Sequence, residues 1–219
     1  YLLDTNSYAN TTNTTVPGWR TLTNVWVSYY TTKSSAIAST NLARKGYLDA
    51  DFGNNSKEGR MGPEYGFGLV VGSQIGDPVL IIKTAWGGRS LHTDFRPPSA
   101  GPYVPTPAEA KRWEEKPERR TKTEAATGVF YREMVAHVRK VLADPRRVCP
   151  VYDEKDGFEL AGFVWFQGWN DLVDNGTYPQ RDRPGGYDAY ARLLSRHIGK
   201  HIPGNPRILP QNMPGAGSL

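Results

Sequence analysis

The sequence predicts an α/β sandwich built on a mainly parallel sheet. Two short runs of apolar residues, 79–82 and 161–166, have the continuous pattern of strands covered on both faces. Stretches with helical spacing precede and separate them, and that order of elements is the mark of a layered α/β fold. In such sheets, sites collect at the carboxyl ends of the strands. The two most unusual loops, beginning at Trp86 and Gln167, follow the two apolar runs directly.

Residues 1–60 are polar and loop-rich, with one strand-like island at Val25-Trp26-Val27 bounded by turn formers. Pro63 and Glu64 suit a helix N-terminus, and a glycine-tolerant helix follows over 65–75 until Asp77-Pro78 breaks it. Residues 86–101 read as a strand-end loop and 102–117 as a proline-punctuated excursion. Over 123–142, Val129, Phe130, Met134, Val138, Val141 and Leu142 recur at helical spacing, so one amphipathic helix is expected, ended near Asp144-Pro145. A further helix is expected over 187–202, with Tyr190, Leu193, Leu194 and Ile198 toward the core, and a short strand over 207–209. The 219 residues suit a single domain with its best-patterned core over 61–200.

Composition narrows the function. The net charge of +5 arises from 27 basic and 22 acidic residues, and the basic stretch 111–139 is interleaved with acids. Nucleic-acid binding would need a more one-sided patch. The single cysteine, Cys149, excludes an intrachain disulfide and a four-cysteine metal site. No apolar stretch is long enough for a membrane span. The opening Tyr1-Leu2-Leu3-Asp4 has neither an initiator methionine nor a signal peptide, as expected of a processed chain or a fragment.

Two loops offer chemistry. In Trp86-Gly87-Gly88-Arg89-Ser90-Leu91, the paired glycines permit positive φ and a close approach of substrate to main-chain N–H groups, which suits an oxyanion site. A tight structural turn would use the same glycines. In Gln167-Gly168-Trp169-Asn170-Asp171, the Gln167 amide is a neutral donor that can face an oxyanion, while Asp171 can orient its own loop. A plain strand-end turn is again the alternative.

Together the two segments resemble blocks of the SGNH hydrolase superfamily, in the branch of sialate O-acetylesterases and acetylxylan-type carbohydrate esterases. The stretch from Ile82 to Leu91 looks like that branch's second block, and the stretch from Trp165 to Asp171 like its third. Gly62-Pro63-Glu64-Tyr65-Gly66-Phe67-Gly68 looks like the helix before the second block. The resemblance covers most of 61–200. It implies a three-layer α/β/α sandwich, a serine-based attack on O-acetyl esters of sugars and no metal, nucleotide or organic cofactor. It places oxyanion donors on the Gly88 N–H and the Gln167 amide. Trp86, Gly87, Arg89, Ser90, Trp169 and Asp171 become candidate substrate-binding residues, and the expected location is secreted or periplasmic.

The chain departs from the pattern in its nucleophile and base. No Gly-Gln-Ser-Asn-Met block occurs, and none of His92, His137, His197 or His201 lies three residues after an aspartate. Ser90 with His92 is an alternative dyad, whereas His137 and His197 read as packing or surface residues of helices. The final ten residues, Pro210-Gln211-Asn212-Met213-Pro214-Gly215-Ala216-Gly217-Ser218-Leu219, look like the first block without its serine. A rearranged chain, a modified serine missing from the sequence and an unrelated tail all remain open, and the first would bring Gln211 and Asn212 beside the site. The rival function is a catalytically disabled carbohydrate-binding domain of the same fold.

Overall fold

The structure, a computed structural model, describes residues 19–32, 41–53, 60–166 and residue 170. They divide between two compact units. One is formed by the chain up to Gly88 together with residues 130–157, and the other by residues 89–129 and those from Phe158 onward.

The first unit holds a mixed three-stranded sheet flanked by helices. Its strands are β1 (Leu22–Thr32), β2 (Asn41–Leu48) and β3 (Val79–Thr84), in the order β2-β1-β3. β3 runs parallel to β1, and β2 runs antiparallel to it, so the described three-stranded sheet is mixed. The region expected to be loop-rich therefore supplies the central strand and one neighbour. β1 is rich in β-branched and aromatic residues, which fit a pleated surface buried on both sides.

The two faces of β1 alternate. Val25, Val27 and Tyr29 join Leu22, Leu48 and Phe52 in one apolar cluster, closed by Tyr65 and Leu69 of α1 (Pro63–Gln74). Trp26 belongs to a second cluster on the opposite face, with Val148, Cys149 and Val141. Val141 lies on the helix Val129–Leu142, labelled α4 below. β3 follows the same alternation: Val79 and Ile81 pack against the first cluster, Leu80 and Ile82 against the second.

α1 begins as its sequence dictates, with proline in the first turn, where a missing N–H costs nothing, and Glu64 near the positive end of the helix. Its glycines allow close approach to the sheet. A Cβ on Gly72 would lie 2.6 Å from Val25 Cγ2, and one on Gly68 would collide with Leu48.

Three further expectations are corrected. The stretch 102–117 is not merely an excursion: it contains α2 (Pro107–Glu115), and α3 (Pro117–Ala126) follows. The prolines open these helices instead of interrupting them, and Thr106 with Glu109 completes a capping box on α2. The single helix expected over 123–142 is two, α3 and α4, because the chain turns at Thr127 and Gly128, the latter with φ of 69°. Finally, residues 161–166 form no strand. Phe163, Val164 and Phe166 are 42%, 74% and 75% exposed, and Trp165 is half-buried, edge-on to Phe95 at 5.2 Å. An apolar run specifies what wants covering but not the partner that supplies the ladder bonds. The helix expected over 187–202 and the strand over 207–209 lie outside the described residues. Among the described residues, no helix is long and apolar enough to cross a membrane.

The α1–sheet contact gives a paired prediction. Gly72→Ala should destabilise by about 1–3 kcal/mol through overpacking against the fully buried, β-branched Val25, despite alanine's better helix propensity. Gly66→Ala, with open space around the added methyl, should stabilise by about 0.5–1 kcal/mol. Urea midpoints decide it; equal shifts for both would contradict the close packing.

Candidate functional site

β3 ends at Thr84, and the carboxyl end of this parallel strand leads through Ala85 and Trp86 into the Gly87-Gly88 turn. Both glycines are exposed, and Gly88 has φ of 73°, a left-handed conformation that a side chain would strain by about 1–2 kcal/mol. The turn thus has the positive φ expected of the paired glycines, which an oxyanion site and a plain structural turn share.

Trp86 is held within the first unit by aromatic contacts. Its indole packs edge-on against Tyr30, with centroids 5.6 Å apart, and against Phe130 at 5.0 Å. It anchors the strand end to α4, so the residue beside the glycine turn is a fixed point of the first unit.

Arg89, Ser90 and His92 lie in the second unit. Asp94 organises the first two: its carboxylate accepts the Ser90 N–H at 2.9 Å and the Ser90 hydroxyl at 3.4 Å, and pairs with Arg89 at 3.5 Å. The Ser90 oxygen also accepts the Thr93 N–H at 3.1 Å. Ser90 is thereby a turn-forming residue, engaged with Asp94 and Thr93. The His92 ring stands edge-on to Tyr103, with centroids 4.9 Å apart. The described contacts of these two residues differ, Ser90 with Asp94 and Thr93 and His92 with Tyr103. Gln167, Trp169, Asp171, Gln211 and Asn212 lie outside the described residues.

Sequence reasoning missed a hydroxyl–imidazole pair. Ser28 of β1 and Nε2 of His137 on α4 share a buried hydrogen bond of 3.0 Å. Tyr30, two residues along the same strand face, stacks on the His137 ring at 4.8 Å and donates to Glu133, one helical turn before His137. The signal was present but weak: a histidine at a buried helix position requires a polar partner, and serine alternates with Trp26 and Tyr30 on one face of β1.

A serine beside a histidine is the geometry of a nucleophile and its base. Ser28, however, is 4% exposed in the middle strand, and its backbone lies between Lys45 and Ile82 in the two ladders. A substrate carbonyl has no approach there, and among the described residues no carboxylate bonds to His137. The pair ties α4 to the sheet.

Burial pushes the His137 imidazole below its ordinary pKa; nearby Lys140 helps and a hydrogen bond to the Ser28 backbone opposes. Burial also raises the Tyr30 hydroxyl, and the Glu133 carboxylate adds to the effect.

The other face carries a charged row. Arg44, Tyr29 and Lys83 stand in register across the three strands. Lys83 Nζ lies 4.3 Å from the Tyr29 ring centroid, donates to the Phe52 carbonyl at 2.6 Å and pairs with Glu64 at 3.0 Å. Desolvation lowers the Lys83 pKa, although the Glu64 pair works against it. This row locks the first turn of α1 onto β3. Among the described residues, no group of three or more His, Cys, Asp or Glu is placed to hold a metal ion.

No protein-family model, curated protein or solved structure matches this chain.

The Ser28–His137 tie predicts a pH dependence of stability. Because the folded pKa lies below the unfolded value of about 6.5, the unfolded chain binds more protons at acid pH. The stabilisation is complete above that value and is lost as pH falls below it. The wild-type melting temperature should therefore drop between about pH 7 and 5 more steeply than that of His137→Gln. Parallel curves would show that His137 does not carry this linkage.

Proposed function

We propose that this chain provides the oxyanion-stabilising core of a serine-type carbohydrate O-acetylesterase of the SGNH kind, set in a three-layer α/β/α sandwich with a mainly parallel sheet. The observation that supports the reading most is the exposed Gly87-Gly88 turn, with its positive φ at Gly88, at the carboxyl end of a strand parallel to β1. That is the location and backbone conformation in which an N–H can meet a developing oxyanion. The resemblance of the segments around Gly88 and Gln167 to esterase blocks supplies the rest.

In the proposed reaction a serine hydroxyl, deprotonated by a histidine, attacks the acetyl carbonyl of an O-acetylated sugar. The Gly88 N–H and the Gln167 amide stabilise the tetrahedral oxyanion, the sugar hydroxyl leaves with the histidine's proton, and water then releases acetate from the acyl-serine. Neither Ser28, sealed in the sheet, nor Ser90, bonded within its turn, is assigned as this nucleophile. The same buried and engaged serines favour one rival, a carbohydrate-binding domain that has lost catalysis.

The two readings separate on acetate release. The natively expressed protein should release acetate from O-acetylated sugars, and Gln167→Ala should lower kcat/KM roughly 10²–10³-fold, or about 2.7–4 kcal/mol of transition-state stabilisation. Gln167→Glu, which exchanges a donor for an anionic acceptor, should be at least as damaging. Full turnover in both folded variants would remove Gln167 from the mechanism. Sugar binding without acetate release would establish the rival.

A further inference from the structure

We propose that Tyr30 is a positioning residue for the Gly87-Gly88 turn, acting through Ala85 and Trp86. This inference rests on the esterase reading above, in which the Gly88 N–H meets the oxyanion, and adds the side chains that hold that turn.

Tyr30 belongs neither to the turn nor to the strand that leads into it. It lies on β1, in register with Thr84, the last residue of β3. The pairing continues by one bond past that point, because the Ala85 N–H donates to the Tyr30 carbonyl at 3.3 Å. The next residue is held by the side chain. The Trp86 indole meets the Tyr30 ring edge-on, with centroids 5.6 Å apart and planes at 87°. Phe130 packs on the same indole at 5.0 Å. The two residues before Gly87 are thus both held by Tyr30, one through its backbone and one through its ring.

The Tyr30 ring is itself fixed. The His137 imidazole stacks on it at 4.8 Å, with planes 13° apart, and its hydroxyl donates to the Glu133 carboxylate. Ser28 holds His137 in turn at 3.0 Å. Ser28, His137, Tyr30 and Trp86 therefore form one line of contacts that ends beside the turn. A polar line of this kind, with its partners satisfied, rigidifies the structure around it.

That rigidity matters where the line ends. Gly87 and Gly88 are exposed, and Gly88 stands at positive φ. Glycine has more backbone freedom than any other residue, so two in succession hold no direction by themselves. An oxyanion donor must be aimed before the charge develops, and a displacement of about 1 Å costs roughly 10²-fold in rate. β1 and α4 supply the order that the glycines lack.

The test compares Tyr30→Leu with Tyr30→Phe in two measurements. In magnetic resonance spectra of the full chain carrying isotopically labelled glycine, the Gly88 amide signal is assigned by its loss in Gly88→Ala. Tyr30→Leu should shift or broaden that signal, and Tyr30→Phe, which keeps the ring, should leave it close to wild type. In acetate release from an O-acetylated sugar, Tyr30→Leu should lower kcat about ten-fold with KM within about two-fold, since the oxyanion develops only toward the transition state. Gly72→Ala, overpacked on the other face of β1, should change neither measurement, which separates positioning from a general loss of stability. If Tyr30→Leu does not fold, Glu133→Ala removes the acceptor of the Tyr30 hydroxyl from a half-buried position and should move the same signal less far. An unmoved Gly88 signal in the folded variant, or an unchanged kcat, overturns the proposal. Absence of acetate release by wild type sinks the esterase reading instead, and the Gly88 signal then decides alone whether Tyr30 sets the turn.

Discussion

Burial of β1 on both faces is the constraint from which the first unit follows. Val25 and Val27 have no exposed surface, and Trp26 on the opposite side is 5% exposed. A strand so placed needs a helix over each face and a ladder on each side, which α1, α4, β2 and β3 supply. It also makes any polar residue in the strand expensive unless it is paired. Ser28 and Tyr30 meet that requirement through His137 and Glu133, so the polar contacts between β1 and α4 are consequences of the strand's position. β3, held parallel to β1, then leads into the Gly87-Gly88 turn at its carboxyl end.

What the sequence disclosed depended on whether local pattern determined the element. α1 was legible because proline, an acidic first turn and a terminating Asp77-Pro78 are all local signals. β3 was legible from its unbroken aliphatic run, and the Gly88 turn from its paired glycines. β2 was missed because Asn41-Leu42-Ala43-Arg44-Lys45-Gly46-Tyr47-Leu48 is polar, and it owes its strand state to pairing with β1. The stretch 161–166 failed in the opposite direction. Its apolar pattern is as strong as that of β3, yet the described structure gives it no ladder partner. Secondary structure in a sheet is a property of pairs, and sequence periodicity sees one member of each pair.

The candidate site shows the same division. Gly88 could be found because a backbone conformation limits residue choice. The roles of Trp86 and Ser90 could not, because they depend on where side chains travel after the turn. Trp86 turns into an aromatic contact with Tyr30 and Phe130, while Ser90 closes a turn on Asp94. His137 and Ser28 are separated by 109 positions, and only the packing of α4 on β1 brings them together. Composition also concealed the Tyr103–Glu109 bond: each residue belongs to a stretch rich in prolines and charges that reads as surface loop.

The central claim of the proposed function is that catalysis uses an activated serine other than Ser28 and Ser90. Treatment of the natively expressed protein with a fluorophosphonate ester, followed by intact-mass measurement and peptide mapping, tests it most directly. The account predicts one phosphonyl group on a single serine, prevented by excess O-acetylated sugar, with Ser28 and Ser90 unmodified. Absence of any adduct, or an adduct on Ser28 or Ser90, would contradict it.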